Sequence, residues 1–571
     1  MNLKKFLAQQ LAKQISELSE DQIFALLEEP KSSALGDYAF PCFSLAKVFK
    51  KGPNQIALDL KNSLKFGTEI QKIEAVNAYL NFFLNPVFVS EKTISEVLKQ
   101  KTKYGSSLVG KNKKVMVEYS SPNTNKPLHV GHLRNDSIGM CLSNILEFSG
   151  HQVIRAILVN DRGVHICKSM LAYQKFGDNQ TPENQKIKGD HFVGNFYVLF
   201  NQKLTEFPEL EQEAQAMLVQ WEKQDKRTIQ LWKKMNAWVI QGFVETYKKF
   251  GSSFDEWFYE SKFYDKAQPI IDQGIKQGVF FKSENGSLMA DLKSTGLPNK
   301  TVLRADGTSI YLTNDLPLTV HKFEKFKLAQ AFWVVASEQD LYFQQLFKIF
   351  ELLGYSWSKN CKHLSYGMVL LPEGKMKSRE GNVIDADDLM QDISALAYEE
   401  ILKRNPSLSK KEIERRSQTI ALAAIKYTML KIELVKDFVF DLKQSVSFEG
   451  DSGPYLQYSY ARAKSILRKA SNVSFKSMDF SLLNSTQEYL LVKKLAAFPL
   501  LVEQLAETKA IHLLTHYLQE LCLLFNSYYH EIPVLTAAEK VKQARLALVE
   551  SFSVVLKNGL YLLNIETLDE M

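Results

Sequence analysis

The 571-residue sequence is short of paired cysteines, of long apolar runs and of any large excess of charge, and each shortage removes a class of function. Its five cysteines (Cys42, Cys141, Cys167, Cys361, Cys522) lie far apart, with no Cys-x-x-Cys pair. That spacing argues against a protein-bound zinc and against a disulfide framework, and it suits a reducing compartment. No run of about 18 apolar residues occurs. The opening Met-Asn-Leu-Lys-Lys-Phe has no apolar h-region, so neither a membrane span nor a secretory leader is expected. A cytoplasmic protein without a membrane partner is the expectation. A net charge of +7 permits a nucleic-acid partner without requiring one, because basic groups must cluster to hold phosphate. Repeats and low-complexity tracts are absent too. Hydrophobic residues at 45% and charged residues at 24% are ordinary for a globular chain. The length exceeds what one core covers, so roughly three or four domains are expected.

The densest chemistry lies between residues 115 and 139. Val115, Met116 and Val117 lead into Glu118 and Tyr119 after a basic run (Lys111, Lys113, Lys114), which predicts a short buried strand. A polar, Pro-containing turn follows, then a helix beginning near Leu128. Strand, turn and helix N-terminus together are how doubly wound folds build a phosphate site, because free backbone N–H groups and the positive helix end converge there. His129 and His132, three residues apart, share one helix face. Gly131 between them lets a base or ribose lie against the backbone. Alone, the histidines are as consistent with surface residues at a helix start. Lys126, Asn123 and Glu118 in the same stretch make it a candidate site.

Residues 1–105 are predicted to be a small α+β domain, with Leu3, Phe6, Leu7 and Leu11 as a helical stripe and an aromatic-rich strand at 76–84. Its aromatics suit a core; a base-stacking surface is the alternative. Residues 106–385 are predicted to form a Rossmann-type parallel-sheet domain. A strand at 153–159 ends in Asn160-Asp161-Arg162-Gly163, and a polar turn at a strand's carboxyl end is where such sheets place ligands. A helical insertion is expected at about 185–260, with Trp221, Trp232 and Trp238 as packing residues. Strands are expected to resume at 302–303, 310–312 and 332–335. Residues 386–571 are predicted to be a helical bundle, with Ile420, Ala423, Ala424, Tyr427 and Leu430 at helical spacing. Within it, the loop at 448–454 enters a tyrosine-rich helix followed by Arg462, Lys464, Arg468 and Lys469, and aromatics among cations suit unpaired bases.

The string Ser-Ser-Pro-Asn-x-x-Lys-Pro-x-His-x-Gly-His-Leu-Arg, ending at Arg134, resembles the signature of class I aminoacyl-tRNA synthetases, and its length resembles the arginyl-tRNA synthetases in particular. The resemblance extends over nearly the whole chain. It implies ATP-dependent joining of L-arginine to tRNA(Arg) through an arginyl-adenylate, with ATP entering as its Mg2+ complex. By resemblance His129, His132, Lys126 and Lys375 are catalytic, and Gly131, Met368, Lys377 and Ser378 contact ATP, Met368 through its backbone. Glu118, Tyr311 and Asp315 form the guanidinium pocket, and Asn123 and Gln339 hold the amino and carboxyl ends. Arginine's rigid fork of donors demands such planar acceptors. Asn81 and Phe83 in the N-terminal domain, and Tyr455, Tyr458 and Arg462 in the C-terminal one, would contact tRNA. A monomer is expected.

Two departures matter. Gly374-Lys375-Met376-Lys377-Ser378 resembles the mobile Lys-Met-Ser-Lys-Ser loop but has Ser378 at the second lysine position. Lys126 would then supply the missing charge, with Lys377 the competing candidate. Tyr342 stands where the family usually has histidine, three residues after Gln339. The resemblance further implies activation only with tRNA present, tRNA pressing on both flanks of the catalytic sheet through the two terminal domains. A synthetase for another amino acid, an inactive tRNA-binding paralogue and a small-molecule nucleotidyltransferase are the rival readings. The acidic pair Glu118 and Asp315, the intact His129, His132 and Lys375, and the two extra domains respectively weigh against them.

Overall fold

The computed structural model describes residues 3–370, 384–470, 475 and 478–571. The chain begins with a small domain in which β1 (Tyr38–Pro41), β2 (Ile70–Val76) and β3 (Tyr79–Leu84) form an antiparallel sheet in the order β1-β3-β2. Leu80, Phe82 and Leu84 alternate into its core with Leu3, Leu7 and Leu11 of the first helix, the predicted stripe.

The catalytic sheet follows. β4 (Lys114–Glu118), β5 (Gln152–Val159) and β6 (Glu256–Tyr259) run in parallel. Between β5 and β6 the chain forms long helices, the last being Lys226–Phe250. The helical run therefore closes before residue 260, because Glu256–Tyr259 pairs with β5. Trp221 is buried, and Trp232 donates from Nε1 to the Asp161 carbonyl at 2.6 Å, so these tryptophans pack the insertion against the sheet. A small antiparallel sheet of β7 (Phe280–Lys282), β8 (Leu288–Ala290) and β9 (Lys300–Leu303) comes next. β10 (Gln330–Ala336) and β11 (Cys361–Tyr366) complete the parallel sheet, whose order is β11-β10-β4-β5-β6. From β4 the chain moves outward to β5 and β6 on one side, and it returns to β10 on the other. Strand order thus reverses beside β4, and ligands in such sheets bind beyond the carboxyl ends at that point. Glu118 is the last residue of β4.

One predicted strand is a helix. Residues 310–312 do not extend; Tyr311–Phe326 is helical, with Leu312, Leu316, Thr319 and Phe323 buried at helical spacing. Thr313 Oγ1 accepts from the Ile310 N–H at 2.9 Å and donates to the Val302 carbonyl at 2.6 Å, which starts the helix and ties it to β9. Three apolar residues cannot distinguish the two periods.

β12 (Val369–Leu370) pairs in parallel with β13 (Phe438–Val439) across two long helices, and every later element among the described residues is a helix, the last ending at Leu562. Ile420, Ala423, Ala424, Tyr427 and Leu430 are all buried, as their spacing predicts. The two terminal domains touch each other rather than only clasping the sheet from opposite flanks. Asp37 accepts from Tyr489 Oη at 2.9 Å and pairs with Lys493 at 2.8 Å, and Asn558 Nδ2 donates to the carbonyls of Lys101 and Tyr104.

Gly139 shows how closely the signature helix (Val130–Phe148) approaches β4. A Cβ there would lie 2.2 Å from Cγ of Tyr119, itself buried. Gly139→Ala is therefore expected to destabilise the protein by about 1–3 kcal/mol through overpacking, read as a lower urea midpoint at unchanged m-value.

Candidate active site

The turn between β4 and the signature helix is held open by unusual backbone. Ser120 and Ser121 both take positive φ (73° and 48°). Asn135 fixes them, accepting from the Ser120 N–H at 2.6 Å while donating to the Val334 carbonyl at 2.7 Å and Tyr366 Oη at 2.9 Å. One buried amide thus joins the turn to the ends of β10 and β11.

His129 is the N-cap of the helix. Its Nδ1 accepts from the Gly131 N–H at 3.1 Å, and His132 Nδ1 accepts from the His129 N–H at 3.1 Å. Both Nδ1 atoms being acceptors, each neutral ring carries its proton on Nε2. Burial lowers the His129 pKa to about 4, helped by the Lys126 charge against the opposing pull of Asp385. Burial, then His129 and Lys126, hold His132 well below its ordinary value. At neutral pH the pair, with ring centroids 3.9 Å apart, is two uncharged Nε2–H donors beside the Lys126 charge.

This turn is stitched to the chain entering the C-terminal helices. Val130 N–H donates to the Ile384 carbonyl at 2.9 Å and Ala386 N–H to the Leu128 carbonyl at 3.0 Å. Asp385 and Asp387, on that segment, belong to a charge cluster. Lys188 Nζ lies 3.0 Å from Asp190 and 2.6 Å from Asp387, and His191 Nε2 lies 3.1 Å from Asp385. Asp190, His191 and Asp387 have metal-like spacing, but the Lys188 ammonium already supplies the cation. Lys375, Lys377 and Ser378 lie outside the described residues.

Met368 departs from expectation. Its N–H donates to Asp437 Oδ1 at 2.6 Å, and its carbonyl accepts from Phe438 N–H and Arg134 Nη1, both at 3.2 Å. The backbone is thus engaged before any base arrives, and what Met368 presents outward is its exposed side chain. Arg134 is fully buried. Its fork reaches the carbonyls of Gly367, Met368, Leu434 and Lys436, with Phe438 beneath it at 4.9 Å.

The residues expected to hold the amino acid lie beyond the carboxyl end of β4 and on the helix Tyr311–Phe326. Tyr311, exposed, and Asp315 occupy the first turn and a half of their helix. Tyr342 Oη donates to Asp315 Oδ2, so the tyrosine at the family's histidine position holds the acidic group directly. Burial pushes Asp315 up to about 6, with the Tyr342 bond and Lys322 opposing and Glu118 assisting. Glu118 is not free: its carboxylate pairs with Lys322 Nζ at 2.5 Å, both buried. Asn123 and Gln339 are exposed at the ends of β4 and β10.

Glu260 escaped sequence reasoning. It is buried just beyond β6, accepts from Asn314 Nδ2 at 2.6 Å through Oε1, and its Oε2 has no hydrogen-bond partner among the described residues. Burial raises it to about 7; Arg162 opposes, while Asp315 and Asp161 add repulsion. Lys322 was missed as well. It stands among His321, Glu324 and Lys325, where nothing in the sequence marks it as the buried partner of Glu118.

Of the predicted RNA contacts, Asn81 is buried on the central strand of the N-terminal sheet, and Phe83 is half-buried with Lys72 Nζ 5.1 Å from its ring. Tyr455, Tyr458 and Arg462 gather on one helix. Arg462 Nη1 donates to Asn526 Oδ1 at 2.7 Å and Nη2 to Tyr458 Oη at 3.1 Å, with Tyr529 at 5.3 Å. Asn526 Nδ2 donates to Tyr455 Oη at 2.8 Å. Asn526 and Tyr529, from the helix His512–Glu531, thus extend the patch.

Known proteins share this arrangement from end to end. The family described as "tRNA synthetases class I (R), catalytic domain" matches residues 93–442, "Arginyl tRNA synthetase N terminal domain" matches 2–84, and "DALR anticodon binding domain" matches 456–571. An arginine–tRNA ligase of Treponema denticola is 42% identical over 95% of this chain and 94% of its own. One from Borrelia hermsii is 40% identical over 100% and 99%. The solved arginyl-tRNA synthetase of Thermus thermophilus superposes with a TM-score of 0.81 at 27% identity, covering 100% of this chain and 99% of that one. With its strand-order reversal at β4, its paired imidazoles at a helix N-terminus and these full-length matches, the chain belongs to the arginyl-tRNA synthetase family of class I.

Proposed function

We propose that this protein joins L-arginine to the 3′ end of tRNA(Arg) through an arginyl-adenylate, taking ATP as its Mg2+ complex and releasing AMP and pyrophosphate. The observation that carries the choice of amino acid is a pair of neighbouring carboxyls, half-buried Asp315 and buried Glu260, beside a lysine that is already bound to Glu118. Buried carboxylates without a cation are costly, and a guanidinium offers planar donors and a permanent charge to both. Lysine has one ammonium point and cannot satisfy two separated acceptors, and citrulline brings no charge at all.

Activation is attack of the arginine carboxylate on the α-phosphate in line with departing pyrophosphate, so positioning and charge stabilisation do most of the work. His129 and His132 present Nε2–H from the positive end of the signature helix towards phosphate oxygens, and Lys126 adds a full charge beside them. Asn123 and Gln339, at the ends of the two strands flanking the crevice, are placed for the amino acid's amino and carboxyl groups. The exposed Met368 side chain offers an apolar face to the adenine. Tyr455, Tyr458 and Arg462, with Asn526 and Tyr529, suit stacking on unpaired bases.

ATP–pyrophosphate exchange across the amino acids, with and without tRNA, tests the assignment. Arginine alone should support it, and with tRNA present; exchange driven equally by lysine would overturn it. His129→Ala and His132→Ala should each slow adenylate formation by about 10²–10³ while the tRNA Kd stays constant, measured by single-turnover kinetics and filter binding. Lys126→Ala should slow the same step at least as much as Lys377→Ala, whose reversal would place the missing charge in the loop. The pocket also sets a pH dependence. Glu260 and Asp315 must both be ionised to bind a guanidinium, and they lose their charges as pH falls through about 7 and about 6. The KM for arginine should therefore be flat above about pH 8, rise up to about tenfold per unit below 7 and more steeply below 6, with the ATP KM unaffected.

A further inference from the structure

A cavity of about 360 Å³ lies where the last insertion helix (Lys226–Phe250) meets two helices of the C-terminal half, Lys410–Leu430 and Glu539–Leu562. Its wall includes Lys248, Lys249, Lys426, Tyr561, Asn564 and Glu566, three ammonium groups against one carboxylate. Lys426 is buried, and among the described residues no carboxylate lies within ion-pair reach of it. Its Nζ donates to the Asn564 carbonyl at 2.7 Å and packs 5.1 Å from the Phe250 ring centre, leaving two of its three hydrogens unassigned. Burial lowers the Lys426 pKa to about 7, with Glu566 and Asp136 opposing, as expected of a cation lacking a partner.

Gly251 ends the insertion helix at φ +81°, a backbone conformation that favours glycine, and sits within van der Waals reach of Lys426 Nζ. Asn564 Nδ2 donates to the Gly251 carbonyl at 3.1 Å, bridging the ends of two helices. Towards solvent stand Lys248, without an acidic partner among the described residues, Lys249, only 3.7 Å from Asp387, and the exposed ring of Tyr561.

We infer that this cavity is a docking site for one nucleotide unit of the RNA substrate, its phosphodiester between Lys248 and Lys426 and its base or ribose against Tyr561. The volume falls within the range of small-ligand sites and accepts a single nucleotide. Excess cations with one aromatic at the rim match a sugar-phosphate chain better than a metal or an apolar peptide. The helix Lys410–Leu430 also packs against the helix bearing Tyr455, Tyr458 and Arg462, so the two patches lie on neighbouring helices. The inference rests on the proposed function, since it presumes that tRNA is the partner.

The test uses the full chain with its tRNA. Lys248 and Tyr561 are exposed, so Lys248→Glu and Tyr561→Ala are expected to fold normally. Lys248→Glu should raise the tRNA Kd several-fold and flatten the plot of log affinity against log salt by about one, and Tyr561→Ala should raise the Kd without changing that slope. Arginine and ATP KM values at saturating tRNA should stay as in the unaltered protein. In the latter, tRNA should shield Lys248 and Lys249 from acetylation. Unchanged affinity and slope, or lysines equally reactive with and without tRNA, would overturn the inference. Shielding by inorganic phosphate but not by tRNA would mark a small-anion site and overturn it too. Arginylation by the unaltered protein reports separately on the functional reading.

Discussion

Two backbone hydrogen bonds, from Val130 to Ile384 and from Ala386 to Leu128, hold together stretches more than 250 residues apart, and the site depends on them. Each alone is worth about 1 kcal/mol. Their importance is geometric: they fix where the helix N-terminus points and where the segment Ile384–Ala386 lies against it. The cluster of Lys188, Asp190, Thr246 and Asp387 surrounds this junction and ties the insertion to it. The turn at His129, the insertion and the first C-terminal helix are therefore joined by two backbone hydrogen bonds and one charge cluster.

The pocket beyond β4 holds an imbalance of charge. Lys322 neutralises Glu118, and the tyrosine bond to Asp315 relieves that group only in part. Glu260 has one oxygen without a partner among the described residues. On the proposed function a guanidinium would match both carboxyls, and selectivity would come from removing a cost that other side chains leave in place, rather than from added contacts.

Much of this was legible in the sequence where local chemistry decides local structure. The strand, turn and helix at Val115–Phe148, the buried stripe at Ile420–Leu430 and the Tyr455–Arg462 cluster all follow from spacing. What was not legible needed distant partners. Tyr311 was expected on a strand, but Thr313 bonding to Val302 makes it the start of a helix. Met368 was expected to offer its backbone, and Asp437, far along the chain, occupies it. Glu260 sits after a short edge strand with no motif of its own, and only the fold brings it beside Asp315. Lys322 became meaningful only when β4 was seen to end against it.

Arg134 shows a different kind of constraint. Its guanidinium has no carboxylate within ion-pair reach among the described residues; its two terminal nitrogens donate to main-chain carbonyls from two separate stretches, Gly367–Met368 and Leu434–Lys436, while Nε has no partner there. The two stretches must also come close to be spanned by one planar fork, and Gly367 is where they do: a Cβ there would lie 2.4 Å from the carbonyl carbon of Lys436. The seam between sheet edge and helical half is thus written in two letters of the sequence, an arginine that reaches and a glycine that yields.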